Sequence, residues 1–317
     1  MKEKFIKDIK KEENVQDFFM LKSINIRENS NGKQYLDMTL EDASGRMNGK
    51  KWEVEPKEAE VLEPGQIVKI KAVMHPYNNT PQLKVTKIRL AEKSDGLNRK
   101  DFFKTAPESP ADMYEFITGK ISSFEDDELK KICLTIYDRN KEKLMYYPAA
   151  MSNHHAEYAG LLWHVKRMMM AGEKMCEIYS NLNRDLLLAG IAVHDIEKIN
   201  EIMSDKNGVS TGYSFEGQMI GHIVRGVGLI HELGKELAID EEKSVLLEHM
   251  ILSHHYEPEY GSPKKPLFPE AEMLHHLDNI DAKMYDMEES LSGVKPGEFG
   301  EKVWTLDNRK LYKRRFK

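Results

Sequence analysis

The chain has 317 residues, with 47 Lys+Arg against 53 Asp+Glu and a formal net charge of −6, a length that suits two domains. No apolar run approaches the roughly 20 residues of a membrane helix, and Met1–Glu13 mixes Lys with Glu where a signal peptide would be apolar. Two cysteines, Cys133 and Cys176, exclude a disulfide framework and a thiolate zinc cluster, so a cytoplasmic setting is expected, and the acidic balance counts on its face against a nucleic-acid partner.

Residues 14–92 read as β. Short, partly alternating runs occur at Phe18–Ile26, Tyr35–Leu40, Arg46–Val54, Ile67–Met74 and Leu83–Leu90, separated by turn signals such as Asn29–Gly32 and Pro64-Gly65. A short helix is expected over Pro56–Leu62. Five strands with a helix after the third match the order of an OB-fold barrel, with a generic small barrel as the alternative. Tyr35 and Trp52 could offer stacking surfaces beside Arg46, Lys50 and Lys51, or could belong to the barrel core.

Residues 93–110 are polar and read as a linker. From Ala111 the apolar spacing turns helical, as in Leu129/Ile132/Cys133/Ile136, so residues 111–290 are expected to be all-α. Residues 291–317 close the chain as a basic tail: Asn308–Lys317 carries six basic groups and no acidic one. It is read either as solvated or as a phosphate contact. The fold class is therefore α+β, with a barrel followed by a helical domain.

Eleven of the 12 histidines lie between His154 and His276, which concentrates the chemistry in the helical half. The apolar run Leu186–Val193 leads directly into His194-Asp195. A carboxylate and an imidazole at the end of a buried helix need compensation for lost hydration, and a divalent cation supplies it. Upstream, His164 shares a helix face with Leu161 and Met168; downstream, Asp278 lies one turn from Leu274 and Ala282. His164, His194, Asp195 and Asp278 thus make a first metal site. His222, His254 and His255 suggest a second, with Asp195 bridging, and two cations about 3.5–4 Å apart would activate water for an in-line phosphoryl displacement. A mononuclear site with acid–base histidines is the alternative. Imidazole and carboxylate donors suit Mn²⁺, Fe²⁺, Co²⁺ or Zn²⁺.

The order His164, His194-Asp195, His222, His254-His255, Asp278 resembles the HD-domain metal phosphohydrolases, in particular the branch with two metals. The β-rich N-terminal domain narrows the resemblance further. So do Asn153-His154-His155-Ala156, Gly160-Leu161-Leu162-Trp163-His164, Met250–His255, Glu259-Tyr260-Gly261-Ser262-Pro263 and Leu277–Ala282. Together they are similar to the YhaM family of bacterial 3′→5′ exoribonucleases, over nearly the whole chain. The resemblance implies a Mn²⁺-favouring nuclease that shortens single-stranded RNA, and also single-stranded DNA, from the 3′ end. It places the ligand roles on the seven residues above, with Asp195 catalytic and Lys198, three residues on, at the substrate phosphate. Glu197 stands where many relatives have glycine; it could pair with Lys198 or face solvent.

The remaining candidates have less defined roles. His155 is weighed as a phosphate contact against a structural position, His275 as a support for Asp278 against a surface position, and Asp281 as a support on the same helix face. His231 and His249 read as structural. The loop Tyr256–Pro269, with four prolines, is read as the mouth of the pocket or as a connector. Two rivals stay open: a phosphohydrolase of a small nucleotide or cyclic dinucleotide, and a catalytically inactive RNA-binding module. The sequence leaves oligomeric state undecided, a homo-oligomer included.

Overall fold

The computed structural model describes residues 2–29, 31–54, 61–77, 80–151 and 154–316. It divides into two compact units, Met1–Lys104 and Thr105–Lys317.

The first unit is a closed barrel of five strands, β1 (Asn14–Glu28), β2 (Gln34–Asp42), β3 (Gly45–Lys51), β4 (Ile67–Met74) and β5 (Gln82–Leu90), in the order β1-β2-β3-β5-β4. All pairings are antiparallel except β3 with β5, which is parallel and closes the barrel. Strict alternation drives the closure. Leu36, Met38 and Leu40 of β2 and Val68, Ile70 and Ala72 of β4 point into a dry interior with Phe19, Leu21 and Leu83; each such aliphatic side chain contributes about 1.5–3 kcal/mol on burial. The expected helix over Pro56–Leu62 falls mostly outside the described residues.

The stretch read as a polar linker belongs largely to this unit. Phe102 and Phe103 are buried, and Ala43 N donates to Asp101 O at 3.0 Å. Two aromatic side chains in a polar segment are enough to seat it, and the division falls at Lys104/Thr105.

The second unit is helical: α1 (Pro110–Ser122), α2 (Asp127–Leu144), α3 (Gly160–Ile178), α4 (Arg184–Val193), α5 (Lys198–Glu201), α6 (Phe215–Met219), α7 (Gly221–Glu236), α8 (Glu241–Ser253) and α9 (Pro269–Ser292). Two hairpins interrupt it, β6 (Ile202–Ser204) with β7 (Ser210–Tyr213), and β8 (Phe299–Val303) with β9 (Arg309–Tyr312). Among the described residues no helix is long and apolar enough to cross a membrane. Helix α4 is apolar on every face and buried along its whole length from Asp185 to Val193, as a central helix must be. Asn183 caps it, accepting from Leu186 N at 3.0 Å. Gly190 allows the close approach of α8, since a Cβ there would meet Met250 Cε at 2.1 Å.

The basic C-terminal segment is folded rather than a free tail. Its strand β9 pairs with β8, Lys313 Nζ donates to Leu291 O at the end of α9 (2.8 Å), and Leu306 is fully buried. Arg314 and Arg315 remain exposed.

Candidate metal centre

Helix α4 ends at the centre of the second unit and delivers His194 and Asp195, both buried. Around them α3 brings His164, the start of α7 brings His222, the end of α8 brings His254 and His255, and α9 brings Asp278. All seven expected ligand residues therefore converge. On the side of Asp195 Oδ2 lie His194 Nε2 at 3.4 Å and His164 Nε2 at 3.9 Å, the latter 3.3 Å from Asp278 Oδ1. On the side of Oδ1 lie His222 Nε2 at 3.4 Å and His254 Nε2 at 3.7 Å, with His255 completing the group.

Each imidazole is turned inward by a bond at its other nitrogen. His194 Nδ1 donates to Ile191 O (3.0 Å), His254 Nδ1 to Ile251 O (2.7 Å) and His255 Nδ1 to Tyr260 O (2.7 Å). His164 Nδ1 meets Asp281 Oδ2 (2.8 Å) and His222 Nδ1 meets Glu201 Oε2 (2.9 Å). A donor fixed in this way leaves the Nε2 lone pair facing the centre, the arrangement that orients metal ligands.

The inward atoms lack partners. His194 Nε2, Asp195 Oδ1, His222 Nε2 and His254 Nε2 are buried without a hydrogen bond. A buried polar atom left unpaired costs about 1–3 kcal/mol, so four gathered about the Asp195 carboxylate mark a place for a Lewis acid. Imidazole nitrogen with carboxylate oxygen is the donor set of a first-row divalent cation. Spacings of 3.3–3.7 Å between donors compare with the roughly 3.3 Å that two ligands subtend on one cation at bond lengths of about 2.0–2.1 Å. His155, His164 and Asp281 also cluster, but they are already joined by direct hydrogen bonds of 2.7 and 2.8 Å.

The two carboxylates agree with this reading, whereas His164 holds a proton that a cation at its Nε2 would displace. Burial would raise the Asp195 carboxyl, yet Lys198 and the surrounding histidines hold it well below the carboxylate range. Burial likewise opposes ionisation of Asp278, but His164 holds it down. Burial disfavours the charged form of His164 too, but Asp278 and Asp281 outweigh it and bring the imidazole up to about 10. His254 goes the other way, pushed well down by burial and by His255 and His194. The difference has a plain cause: His164 lies between two carboxylates, and His254 lies mostly among imidazoles.

Lys198 Nζ contacts Asp195 Oδ2 at 2.6 Å. Glu197 neither pairs with Lys198 nor faces solvent. It is buried and accepts from Arg225 Nε at 2.8 Å and Asn200 Nδ2 at 2.9 Å, so Lys198 stays with Asp195. His155 is not a surface contact for substrate: it is fully buried, bonds Asp281 Oδ2 through Nε2 (2.7 Å) and packs its ring 4.1 Å from that of Tyr285. The local reason is Gly160, where any Cβ would lie 2.0 Å from His155 O and force the His155 turn off α3. His275 supports the backbone, with Nδ1 bonded to His254 O (2.7 Å). His231 pairs with Glu248 and His276 with Glu272 at the surface.

Sequence reasoning missed Glu201, which orients His222 from 21 residues away, and Arg167, whose Nε lies 2.6 Å from Asp281 Oδ1. Arg167 had a signal, its position one turn after His164. Glu201 had none, because its partner comes from another helix.

On the barrel, Tyr35 and Trp52 lie outside the core with ring centroids 4.6 Å apart, and Trp52 is 42% exposed. Lys50 Nζ stands 5.3, 5.7 and 5.8 Å from the rings of Tyr35, Trp52 and Tyr77. Of the other two expected cations, Lys51 is turned away and Arg46 stays exposed in an ion pair. Lys51 is buried, because the alternation of β3 puts Met47, Gly49 and Lys51 inward, and Arg46 pairs with Glu41 at 3.1 Å.

Comparison with known proteins assigns both units. Residues 161–283 match the model of the HD domain, and residues 21–91 match that of an OB-fold nucleic acid binding domain. The chain is 40% identical over 301 residues to a protein of Geobacillus sp. (strain WCH70), covering 95% of this chain and 92% of that one. It is 38% identical to one of Bacillus subtilis, covering 96% of each, and 39% identical to one of Listeria welshimeri, covering 98% of each. All three carry the name 3′-5′ exoribonuclease YhaM.

Proposed function

Since the chain belongs to the YhaM family of 3′-5′ exoribonucleases, we propose that its metal centre removes nucleoside 5′-monophosphates one at a time from the 3′ end of single-stranded RNA, and of single-stranded DNA as a second substrate. The enzyme is a metal-dependent hydrolytic nuclease with RNA as its substrate. The observation that carries the finer reading is the set of four unpartnered buried atoms around Asp195.

Two ions fit the donors better than one, because Asp195 turns its two oxygens toward two separate groups of imidazoles. His164, His194, Asp195 and Asp278 would hold one, and Asp195, His222, His254 and His255 the other. We take Mn²⁺ as the favoured ion, with Co²⁺, Fe²⁺ or Zn²⁺ as substitutes, since the donors are mixed nitrogen and oxygen without thiolate. When bound, such cations supply Lewis acidity toward the phosphoryl oxygens and lower the pKa of water. The protein's own part is orientation. The Nδ1 bonds fix five imidazoles before substrate arrives, and Glu197, held by Arg225, leaves the Lys198 ammonium beside Asp195 for the charge of the scissile phosphate.

In the test, 5′-labelled single-stranded RNA with Mn²⁺ should shorten stepwise from its 3′ end, and EDTA should stop it. Turnover of free nucleotides without shortening of RNA would favour the small-molecule rival instead. The barrel argues against that rival, since Trp52, Tyr35 and Lys50 combine a stacking surface with a cation. Base–aromatic stacking contributes about 1–3 kcal/mol per base, so Trp52→Ala should raise KM for long RNA by about 5- to 150-fold. Turnover of a small phosphodiester such as bis-p-nitrophenyl phosphate should not change, because that substrate carries no nucleobase to stack on Trp52.

A further inference from the structure

The segment between α8 and α9 is fastened to the ligand set more tightly than a connector requires. Tyr256 takes a φ of 67°, and Glu257 N donates back to His255 O at 2.8 Å. Ser262, fully buried, accepts from His255 N at 3.1 Å. Pro258–Tyr260 forms a single 3₁₀ turn whose last carbonyl holds His255 Nδ1. Gly261 then turns the chain at φ 93°, where a Cβ would lie 3.3 Å from Ile223 Cδ1, so the loop rests against the residue that follows His222. At its far end Leu267 N donates to His249 Nε2 at 3.1 Å. Pro258, Pro263 and Pro266 fix φ along the span.

This fixed loop holds out an exposed aromatic ring and, four and five residues further on, two exposed cations. Tyr260 is 71% exposed, and Lys264 and Lys265 are exposed, Lys265 with its ammonium 4.4 Å from the Tyr256 ring centroid. A ring for a base and ammonium groups for phosphates are the two elements of single-strand recognition. The loop's own charges balance, Lys264 and Lys265 against Glu257 and Glu259, so it is the two adjacent ammonium groups beyond the Gly261 turn that suit phosphates, and RNA is the polyanion that must reach this centre.

We infer that Tyr260 is the stacking residue for the 3′-terminal nucleotides of the RNA, with Lys264 and Lys265 on the adjoining phosphates. The inference rests on the exoribonuclease reading and adds to it the residue that seats the strand end. One peptide unit carries both the Tyr260 ring and the carbonyl that orients His255, so the stacked base and the metal ligand share a rigid frame. Because the carbonyl survives any side-chain change, stacking can be removed without touching the ligand.

The test uses the purified full-length protein. With 5′-labelled short RNA and Mn²⁺, Tyr260→Ala should raise KM about ten- to a hundredfold and alter kcat by less than about threefold. Tyr260→Trp should return KM to near the unsubstituted value, and bound Mn²⁺ per chain should be the same in all three proteins. A direct signature comes from 2-aminopurine at the 3′-terminal position, whose fluorescence should be quenched on binding to EDTA-treated protein and should remain bright with Tyr260→Ala. An unchanged KM, equal quenching in the alanine variant, or loss of bound Mn²⁺ in that variant would each overturn the inference. Absence of RNA shortening by the unsubstituted protein would overturn the exoribonuclease reading instead, and the fluorescence experiment, which needs binding only, would still judge the stacking.

Discussion

Asp195→Ala is expected to reduce RNA shortening by at least about a thousandfold, equivalent to roughly 4 kcal/mol of lost transition-state stabilisation. Among the described residues Asp195 is the one side chain whose two oxygens face both groups of histidines, at 3.4 Å from His194 Nε2 and 3.4 Å from His222 Nε2. Its removal therefore weakens both halves of the centre together, and metal analysis of the purified variant should show little bound Mn²⁺. Lys198 also loses its partner, since its ammonium is buried against Asp195 Oδ2 at 2.6 Å. The circular dichroism spectrum should nevertheless match that of the unsubstituted protein, because the surrounding core of Leu187, Leu188, Ile191 and Val193 is untouched. Retention of RNA by the barrel should survive as well, as Trp52 and Tyr35 belong to the other compact unit. Activity within tenfold of the unsubstituted enzyme would be incompatible with a centre built on this carboxylate.

The convergence of the expected ligand residues could be read from the sequence because most sit on helices whose apolar spacing fixes which way they point. His164 shares a face with Leu161 and Met168, and the wholly apolar run before His194 could only be a central helix. The barrel was readable for a similar reason, since the turn residues and the alternation in β2 and β4 leave few choices of strand. What escaped was whatever depends on a partner distant in sequence. Glu197 is explained by Arg225 and Glu201 by His222, and neither pair has a local signature. His155 stayed open between a phosphate contact and a structural position because its partner Asp281 lies 126 residues away. Lys51 was misjudged. The parity of β3 placed it inward with Met47 and Gly49, but its charge argued for the surface, and parity prevailed.

The net charge of −6 also takes on a local meaning. Much of what makes the chain acidic near the centre is neutralised in place: Asp195 by Lys198, Asp281 by Arg167 and Glu197 by Arg225. Two cations stand beside aromatic rings where a strand could use both, Lys50 on the barrel and Lys265 on the loop. Strand binding through so few phosphate contacts should be moderate in affinity and should weaken with salt. It relies on stacking more than a strongly basic protein would.

Asp281 is where structure and chemistry are hardest to separate, and its substitution distinguishes a support from a ligand. Burial alone would raise its carboxyl, but hydrogen bonds from His155 and His164 hold it well below the carboxylate range. One oxygen takes both imidazoles, at 2.7 and 2.8 Å, and the other takes Arg167 at 2.6 Å. Beside them Tyr285 donates to Glu157 at 2.9 Å, so α9 is locked to the His155 turn and to α3 at once. Asp281→Ala leaves two buried imidazoles and a half-buried guanidinium without their acceptor, a loss of about 3–5 kcal/mol for broken buried pairs. In a unit of this size each kcal/mol lowers Tm by about 2–4 °C, so the midpoint should fall by roughly 6–20 °C. Freed at Nδ1, His164 no longer has its Nε2 aimed at the centre, and Mn²⁺ affinity should drop about 10- to 100-fold, as it does when a ligand loses its orienting carboxylate. Asp281→Asn keeps one acceptor oxygen and should fall between the two. Because the ligands themselves are intact, excess Mn²⁺ should restore most activity to Asp281→Asn while leaving Asp195→Ala inactive. Equal failure of both variants at saturating Mn²⁺ would instead place Asp281 among the groups that bind the metal.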